Sequence, residues 1–264
     1  AFLEHVQDSD ILITNFKYGD AEKFGIEDDK LHALNPRLII GKINGYGADN
    51  DRVAYDLILQ AESGFMSMNG TPESGPVKMP VALIDVLAAH HLKEGILLAL
   101  YEREKSGKGT AISVSLYDAA VSSLVNQASN FLMAGHVPQR IGSLHPNIAP
   151  YGELFQTKDG STITFAIGSN DHFAKLCKEL NVEELIQDER FSINQNRVVN
   201  RVELKEALQP AVNSRSCESI LAACQAVNIP AGKIQNLQEV FSSEKAQSLV
   251  REETIEGIST KRVT

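Results

Sequence analysis

The fold of this chain is decided by residues 79–109, which read MPVALIDVLAAHHLKEGILLALYEREKSGKG. From Asp85 to Lys105 apolar side chains return at the three- and four-residue spacing of a helix that is buried along one face. The following Ser106-Gly107-Lys108-Gly109 supplies glycine, which commonly ends a helix. A β-branched run from Ala111 to Ser115 then predicts a strand. A long helix that leads directly into a buried strand is typical of α/β proteins.

Strands and helices alternate in the same way through the rest of the first half. The predicted strands are Ile11 to Thr14 and Leu38 to Ile43, and the predicted helices are Asp28 to Leu34, Asp56 to Glu62 and Tyr117 to about Ala134. Such alternation favours a parallel sheet, since parallel neighbours need a crossover connection, usually a helix. We therefore expect the α/β class, with a Rossmann-like, doubly wound parallel sheet and helices on both of its faces.

The composition changes after Ala134 and predicts a second domain. Residues 135–150 contain three prolines without periodicity and are typical of a linker. Beyond them, two apolar runs flank Lys158-Asp159-Gly160, which favours a β-hairpin, and three helical patterns follow. We expect a partial Rossmann-like large domain over residues 1–134, the linker, and a small α+β domain over residues 151–228. Residues 229–264 are expected to be a linker that returns toward the large domain.

Charge and cysteine content bound the class of protein. The 264 residues include 25 Lys and Arg against 34 Asp and Glu, a net charge of −9, and the basic residues are scattered singly. This distribution argues against nucleic-acid and anionic-membrane partners. No apolar run approaches the roughly 20 residues that cross a bilayer. The three cysteines are odd in number and lack metal-ligand spacing, so we expect a cytoplasmic protein with no metal site.

Asp85 is the candidate reactive residue. An aspartate at the mouth of a helix is a common N-cap, because its side chain accepts a backbone N–H and its charge suits the positive end of the helix dipole. The same carboxylate can be a nucleophile that attacks an acyl carbonyl and forms a mixed anhydride. For that role we expect it to be partly shielded yet near helix-terminal N–H groups that favour its charge. Position alone favours the cap, and the surrounding sequence favours the nucleophile.

Seven short stretches occur in the order and approximate spacing of one enzyme family. They are DILITNF (10–16), LNPRLI (34–39), NGYG (44–47), AYD (54–56), QAESG (60–64), GILLAL (95–100) and SVSLYDA (113–119). In these stretches the chain resembles the class III CoA-transferases, of the formyl-CoA transferase and carnitine CoA-transferase type. The later part, with IAPY at 148–151 and the Asn- and Arg-rich residues 194–201, looks most like dicarboxylate members such as succinyl-CoA:glutarate CoA-transferase.

The resemblance implies transfer of CoA from an acyl-CoA thioester to a carboxylic acid, with Asp85 as the nucleophile. Asp85 would form a mixed anhydride and then an aspartyl-CoA thioester, CoA and acyl-CoA would be substrates, and no cofactor would be tightly bound. The residues that the resemblance places against CoA are Asn15, Phe16, Lys17, Lys23, Arg52 and Tyr55. For Lys23 and Arg52 the alternative is an ordinary surface charge. Family members form interlocked homodimers, and we expect the same here.

Two other functions stay open on the sequence. α-Methylacyl-CoA racemases are similar in fold and use a histidine, with the equivalent of Asp85, to move an α-proton. They carry Gly-His-Asp where this chain has Ala54-Tyr55-Asp56, which favours the transferase. The chain begins at Ala1 and the resemblance places both of its ends inside longer family members, so we expect a truncation at both ends. A non-catalytic CoA-binding or assembly partner is the third alternative.

Overall fold

The computed structural model describes residues 1–263 and divides the chain into two compact units, residues 1–142 and the residues from Ser143 onward. The first unit contains β1 (Ile11–Thr14), β2 (Ile39–Asn44) and β3 (Ala111–Ser115), with α1 (Phe2–Asp8), α2 (Asp20–Phe24), α3 (Asp28–Leu34), α4 (Asp56–Glu62), α5 (Phe65–Met68), α6 (Leu83–Ser106), α7 (Leu116–Ser122) and α8 (Val125–Ala134).

A three-stranded parallel sheet in the order β1-β2-β3 forms the centre of the first unit. Successive residues of β2 point to opposite faces. Ile39 packs with Leu92 of α6 on one face. Ile40 packs with Val6 of α1 and Leu31 of α3 on the other face. Both faces of the sheet are therefore covered by helices, and the predicted Rossmann-like α/β class is confirmed.

Helix α6 begins at Leu83 rather than at Asp85, so Asp85 lies in the first turn and does not cap the helix. The end of α6 agrees with the sequence pattern, because Ser106 is the last helical residue and Gly107 takes the left-handed conformation, with φ of 71°. Near this end the buried Arg103 donates from Nη1 to the backbone carbonyls of Asp10 and Arg37. The long helix is thus held at its carboxyl end against the start of β1.

The prediction of a single helix from Tyr117 to about Ala134 is wrong. The structure has two helices over these residues, α7 and α8. Ser122 donates from its hydroxyl to the carbonyl of Ala119, and the N–H of Ser123 is shared between the carbonyls of Ala119 and Ala120. Serine side chains compete in this way for the backbone partners that a continuous helix needs. Val125 then adopts a positive φ of 41°, and a new helix begins.

The second unit is α+β, as predicted. It contains β4 (Tyr151–Gln156), β5 (Thr162–Ala166), β6 (Ala231–Lys233), β7 (Val250–Ile255) and β8 (Ile258–Val263), with α9 (Asn170–Glu179), α10 (Glu184–Gln187), α11 (Asn194–Val199), α12 (Arg201–Asn213), α13 (Cys217–Ala226), α14 (Leu237–Val240) and α15 (Glu244–Gln247). An antiparallel sheet in the order β4-β5-β6 packs the rings of Phe155 and Phe165 with Phe173 of α9 in one core.

The boundaries of the units differ from those expected from composition. The division falls after Gly142, within the predicted linker of residues 135–150. Residues 229–264 were expected to be a linker, but β6 pairs with β5 and β7 pairs with β8 inside that range. A three-residue strand such as β6 carries too short a pattern to be recognised alone, since its partner β5 lies more than 60 residues earlier in the chain.

Candidate active site

A cleft of about 470 Å³ opens in the first unit at the carboxyl ends of β1 and β2. This volume lies within the range of about 300–1,000 Å³ that is usual for small-molecule sites. Parallel strands end at the same edge of a sheet, so the loops that follow them meet there. The cleft brings together six of the seven predicted site residues, which are Asn15, Phe16, Lys17, Arg52, Tyr55 and Asp85.

The Asp85 side chain lines this cleft from the first turn of α6, partly buried by its surroundings while still reaching solvent. Among residues 1–263 its carboxylate has no hydrogen-bond or ion-pair partner. Partial burial raises the pKa of Asp85, and the negative charge of Asp56 raises it further. The expected stabilisation of the charge by helix-terminal N–H groups is therefore outweighed. An unpaired carboxylate whose pKa is raised is a stronger nucleophile than one held in a salt bridge.

Asp56, the first residue of α4, takes the capping position at the start of α6. Its Oδ1 accepts the backbone N–H of Ile84 at 2.7 Å. Ala82, the local N-cap of α6, has no side chain that can accept a hydrogen bond. The cap therefore comes from another helix, and it brings a second carboxylate beside Asp85.

Gln60 lies one turn after Asp56 on α4 and is fully buried. Its Nε2 donates to Oδ2 of Asp56 at 2.6 Å and, at 3.4 Å, to the carbonyl of Val81. Its Oε1 accepts the backbone N–H of Met79 at 2.8 Å. One buried amide thus ties α4 to the segment that leads into α6.

Arg52 lies in the cleft wall, with both ends of its guanidinium engaged by Glu62. Nη1 donates to Oε2 of Glu62 at 2.9 Å, and Nη2 donates to Oε1. The guanidinium carbon lies 4.5 Å from the ring centroid of Tyr46, whose hydroxyl donates to the same carboxylate at 2.7 Å. The hydrogen bonds from Arg52 and Tyr46 lower the pKa of Glu62. Arg52 is therefore an oriented cation and not a free surface charge.

Lys17 is the cation of the cleft that has no carboxylate partner among residues 1–263. It also lines a neighbouring cleft of about 280 Å³, in which Lys42 is paired with Asp28 at 2.6 Å. Phe16 lies between the two clefts and packs edge-to-face on Phe24, with 5.7 Å between ring centroids. The two clefts together offer an apolar wall and one unpaired positive charge along the sheet edge.

Lys23 is the predicted site residue that lines neither cleft. It is exposed on α2, with Nζ 5.6 Å from the ring centroid of Phe24. A role for Lys23 in binding CoA stays a prediction, and its surroundings in the first unit are those of a surface lysine.

Sequence reasoning missed two residues that connect with Asp85, namely Asp56 and Gln60. A signal was present: the two polar residues are four apart and thus on one helix face, and Gln60 directly follows the buried Leu59. Their roles depend on distant partners: Met79 lies 19 residues after Gln60, and Ile84 lies 28 residues after Asp56. Nothing in the local pattern of α4 identifies those partners.

Metal binding, membrane spanning and thiol chemistry each place requirements on the described side chains. Among residues 1–263, no group of three or more His, Cys, Asp or Glu side chains is arranged to hold a metal ion. Over the same residues no helix is both long and apolar enough to cross a membrane. The cysteines are free and buried, and burial raises the pKa of Cys177 to about 12 and that of Cys224 to about 11. At neutral pH these two thiols are therefore protonated and poor nucleophiles.

A sequence model of the CoA-transferase family III matches residues 1–259. The chain belongs to CoA-transferase family III. Among curated members, it is 35% identical over 246 residues to the succinate–glutarate CoA-transferase of Agrobacterium fabrum, covering 92% of this chain and 61% of that protein. It is 34% identical over 243 residues to the acetyl-CoA:oxalate CoA-transferase of Acetobacter aceti, covering 90% of this chain and 62% of the relative.

Two solved structures share the fold of this chain. A CAIB/BAIF family protein from Brucella suis superposes with a TM-score of 0.83 at 34% identity, covering 98% of this chain and 68% of that chain. Rv3272 from Mycobacterium tuberculosis gives a TM-score of 0.85 at 26% identity, and the match covers 100% of this chain and 71% of that chain. This chain spans about three fifths of the length of the two curated relatives named above.

Proposed function

We propose that the protein transfers CoA from an acyl-CoA to a carboxylic acid through a covalent intermediate on Asp85. The observation that carries this proposal is the unpaired Asp85 carboxylate in one cleft with Asn15, Phe16 and Lys17. Membership of CoA-transferase family III supports the reaction class. CoA and acyl-CoA are substrates in this proposal, and no tightly bound cofactor takes part.

The reaction proceeds by four exchanges at carbonyl carbon. Asp85 attacks the thioester carbonyl, the C–S bond breaks, and CoA leaves as a thiolate from a mixed anhydride. The thiolate attacks the Asp85 carbonyl carbon of that anhydride, which releases the donor acid as its carboxylate and leaves an aspartyl-CoA thioester. The acceptor carboxylate attacks this thioester and expels the thiolate, and the thiolate then attacks the acceptor carbonyl and frees Asp85. One thioester and one carboxylate enter, and one of each leaves.

We infer that the acids include short dicarboxylates. The names of the relatives, which specify succinate with glutarate and acetyl-CoA with oxalate, support this class. Lys17, which the resemblance places against CoA, is the unpaired cation of the cleft, and we propose that it contacts CoA. Arg52 is already neutralised by Glu62, so we assign it to orientation of Tyr46 and the cleft wall.

The predicted interlocked homodimer and the cytoplasmic location stay predictions. The racemase alternative is disfavoured, because Tyr55 stands where the racemases carry histidine, and a phenol is a poor base at neutral pH. The alternative of a non-catalytic partner is decided by whether Asp85 forms a covalent adduct.

The deciding experiment uses the full-length chain with succinyl-CoA and hydroxylamine. Hydroxylamine converts an activated Asp85 acyl group to a hydroxamate, which peptide mass spectrometry locates. We expect the hydroxamate at Asp85 in the wild type and none in Asp85→Asn.

Two controls separate the alternatives. Asp118→Asn changes another aspartate at the third position of a helix in the same unit and should leave the labelling of Asp85 intact. If Asp85 stays unlabelled while a branched acyl-CoA exchanges its α-proton, the racemase reaction replaces the transferase. If the protein binds acyl-CoA but shows neither labelling of Asp85 nor α-proton exchange, the proposal is wrong and the chain is a non-catalytic CoA-binding partner.

A further inference from the structure

We propose that Gln60 is a positioning residue for Asp85, which it fixes through the segment Met79–Val81 and through the Asp56 carboxylate. This inference rests on the proposed function, because it concerns the placement of the same nucleophile. Gln60 lines neither cleft and touches no substrate position. Its effect is transmitted by hydrogen bonds.

The first step is the burial of the Gln60 amide. A fully buried amide without partners is costly, and each bond that it loses leaves a buried polar group unsatisfied. All of its partners here converge on the entrance to α6: the N–H of Met79, the carbonyl of Val81 and the Asp56 carboxylate. A glutamine that served only to fill space on α4 would not need partners from a segment 19 residues away.

The second step is the coupling of Gln60 to the first turn of α6. Gln60 Nε2 holds Oδ2 of Asp56, which leaves Oδ1 directed at the N–H of Ile84. Ile84 directly precedes Asp85, and its side chain is fully buried against Leu59 of α4. The direction in which the Asp85 side chain projects from α6 is therefore fixed by two interactions of Ile84. One is its apolar contact with Leu59, and the other is the hydrogen bond from its N–H to the Asp56 carboxylate that Gln60 holds.

The third step concerns charge. Asp56 raises the pKa of Asp85 because the two carboxylates are close. The other charged groups facing the cleft are Lys17, Asp51 and Arg52, and no Gln60 variant alters them. Movement of the Asp56 carboxylate therefore changes the pH at which Asp85 reacts.

A swap of the two side chains provides the test. In Gln60→Glu two carboxylates face each other, and in Asp56→Asn two amide donors face each other. The double variant Q60E/D56N restores the hydrogen bond with its direction reversed, keeps acceptors for the N–H groups of Met79 and Ile84, and keeps the net charge. Gln7→Glu on the exposed face of α1 makes the same chemical change without these partners.

Labelling of Asp85 by succinyl-CoA and hydroxylamine, measured across pH on the full-length chain, is the primary readout. We expect each single variant to slow the labelling by about 10- to 100-fold, since misplacement of a reacting group by about 1 Å can cost about 10²-fold. The double variant should recover most of the rate, and Gln7→Glu should match the wild type. The pH of half-maximal labelling should rise in Gln60→Glu, which adds a negative charge, and fall in Asp56→Asn, which removes one. In the double variant this pH should return toward the wild-type value.

The inference is overturned if the double variant is no faster than the slower single variant, with all variants melting at the same temperature. It is also overturned if Gln60→Leu, which removes the hydrogen bonds and keeps the volume, labels Asp85 at the wild-type rate and pH. Failure of the proposed function is a different result, namely no label on the wild type itself. In that case, carboxyl ¹³C NMR titration of Asp85 still decides whether Gln60 and Asp56 act as a pair. The titration compares the wild type, the two single variants Gln60→Glu and Asp56→Asn, and the double variant.

Discussion

Two aspartates occupy the third position of neighbouring helices in the first unit, and they differ in almost every other respect. Asp118 follows the N-cap Ser115, whose Oγ accepts the N–H of Asp118 at 2.9 Å. Asp85 follows Ala82, which has no side chain that can cap, and the N–H of Ile84 in α6 finds its acceptor in Asp56 from α4. Asp85 lines the cleft, whereas Asp118 lines neither of the two clefts.

The comparison shows that an acidic residue in a first helical turn is not itself a functional signal. Where the cap is local, as at α7, the residues that stabilise the helix lie within one turn of the chain. Where the cap is distant, as at α6, the helix start becomes part of a tertiary site. The distant cap also adds a charge that a local serine does not, so the two aspartates have different electrostatic surroundings.

The largest expected difference between them is in reactivity. Asp85→Asn should reduce CoA transfer by at least about 10³-fold, because loss of a nucleophile removes the covalent route. Asp118→Asn should retain the wild-type rate within about twofold, since surface substitutions away from a site have small effects. Steady-state transfer from succinyl-CoA to glutarate measures both. Equal losses in the two variants would end the distinction between the helices.

Gly45 lies between the start of α7 and Ala54, which leads into α4 and Asp56, and a side chain at Gly45 should disturb both. A Cβ at Gly45 would lie 2.4 Å from Cβ of Ala54, and the Gly45 carbonyl accepts the N–H of Tyr117 in α7 at 3.0 Å. Gly45→Ala should destabilise the protein by about 1–3 kcal/mol through overpacking and slow the labelling of Asp85 by about tenfold through the displaced Asp56.

Urea unfolding and hydroxamate labelling test these effects of Gly45→Ala together. Gly232→Ala in β6 is the control, because a Cβ there meets open space at an ordinary φ. If Gly45→Ala labels normally despite lower stability, the wall around Ala54 does not position Asp56.

The local cap at α7 predicts a smaller effect that is confined to stability. Ser115→Ala removes the side-chain acceptor for the N–H of Asp118 and should lower the free energy of unfolding by about 0.5–2 kcal/mol. Ser115→Thr keeps a hydroxyl acceptor with less added volume at this buried position and should recover part of that loss. Chemical denaturation gives the stability, and an unchanged rate of Asp85 labelling is expected in both variants.

The smallest predicted effect is a change in melting temperature, which should have opposite signs in Asp85→Asn and Asp118→Asn. The folded pKa of Asp85 is raised, so its ionisation opposes folding: the penalty is absent below the ordinary pKa of aspartate and complete above the raised pKa. Asp85→Asn should therefore melt slightly higher than the wild type at pH 7, with no difference near pH 3. Asp118→Asn should melt slightly lower at low ionic strength, because a first-turn carboxylate favours the helix dipole. Differential scanning calorimetry at the two pH values measures both signs, and a lower melting point for Asp85→Asn at pH 7 would contradict the prediction.

Much of the first unit followed from local patterns. Short apolar and β-branched runs identified β1, β2 and β3, and glycine at 107 identified the end of α6. The start of α6 was less visible, because no local side chain caps it, and the break between α7 and α8 depends on competing serine hydrogen bonds. The short strand β6 escaped detection because its pairing partner is distant in the chain.

The sequence by itself determined the alternation of strands and helices, the family, and Asp85 as the residue to examine, since hydrophobic periodicity and short motifs are properties of neighbouring residues. The resemblance to the family also named five other residues that line the cleft. Only the tertiary structure decided that Asp56 caps α6, that Gln60 supports that cap, that Glu62 holds Arg52 and that Lys23 lies apart. Hydrogen bonds and charge pairs between distant residues depend on distances of a few ångströms, and such distances are defined only once the chain is folded.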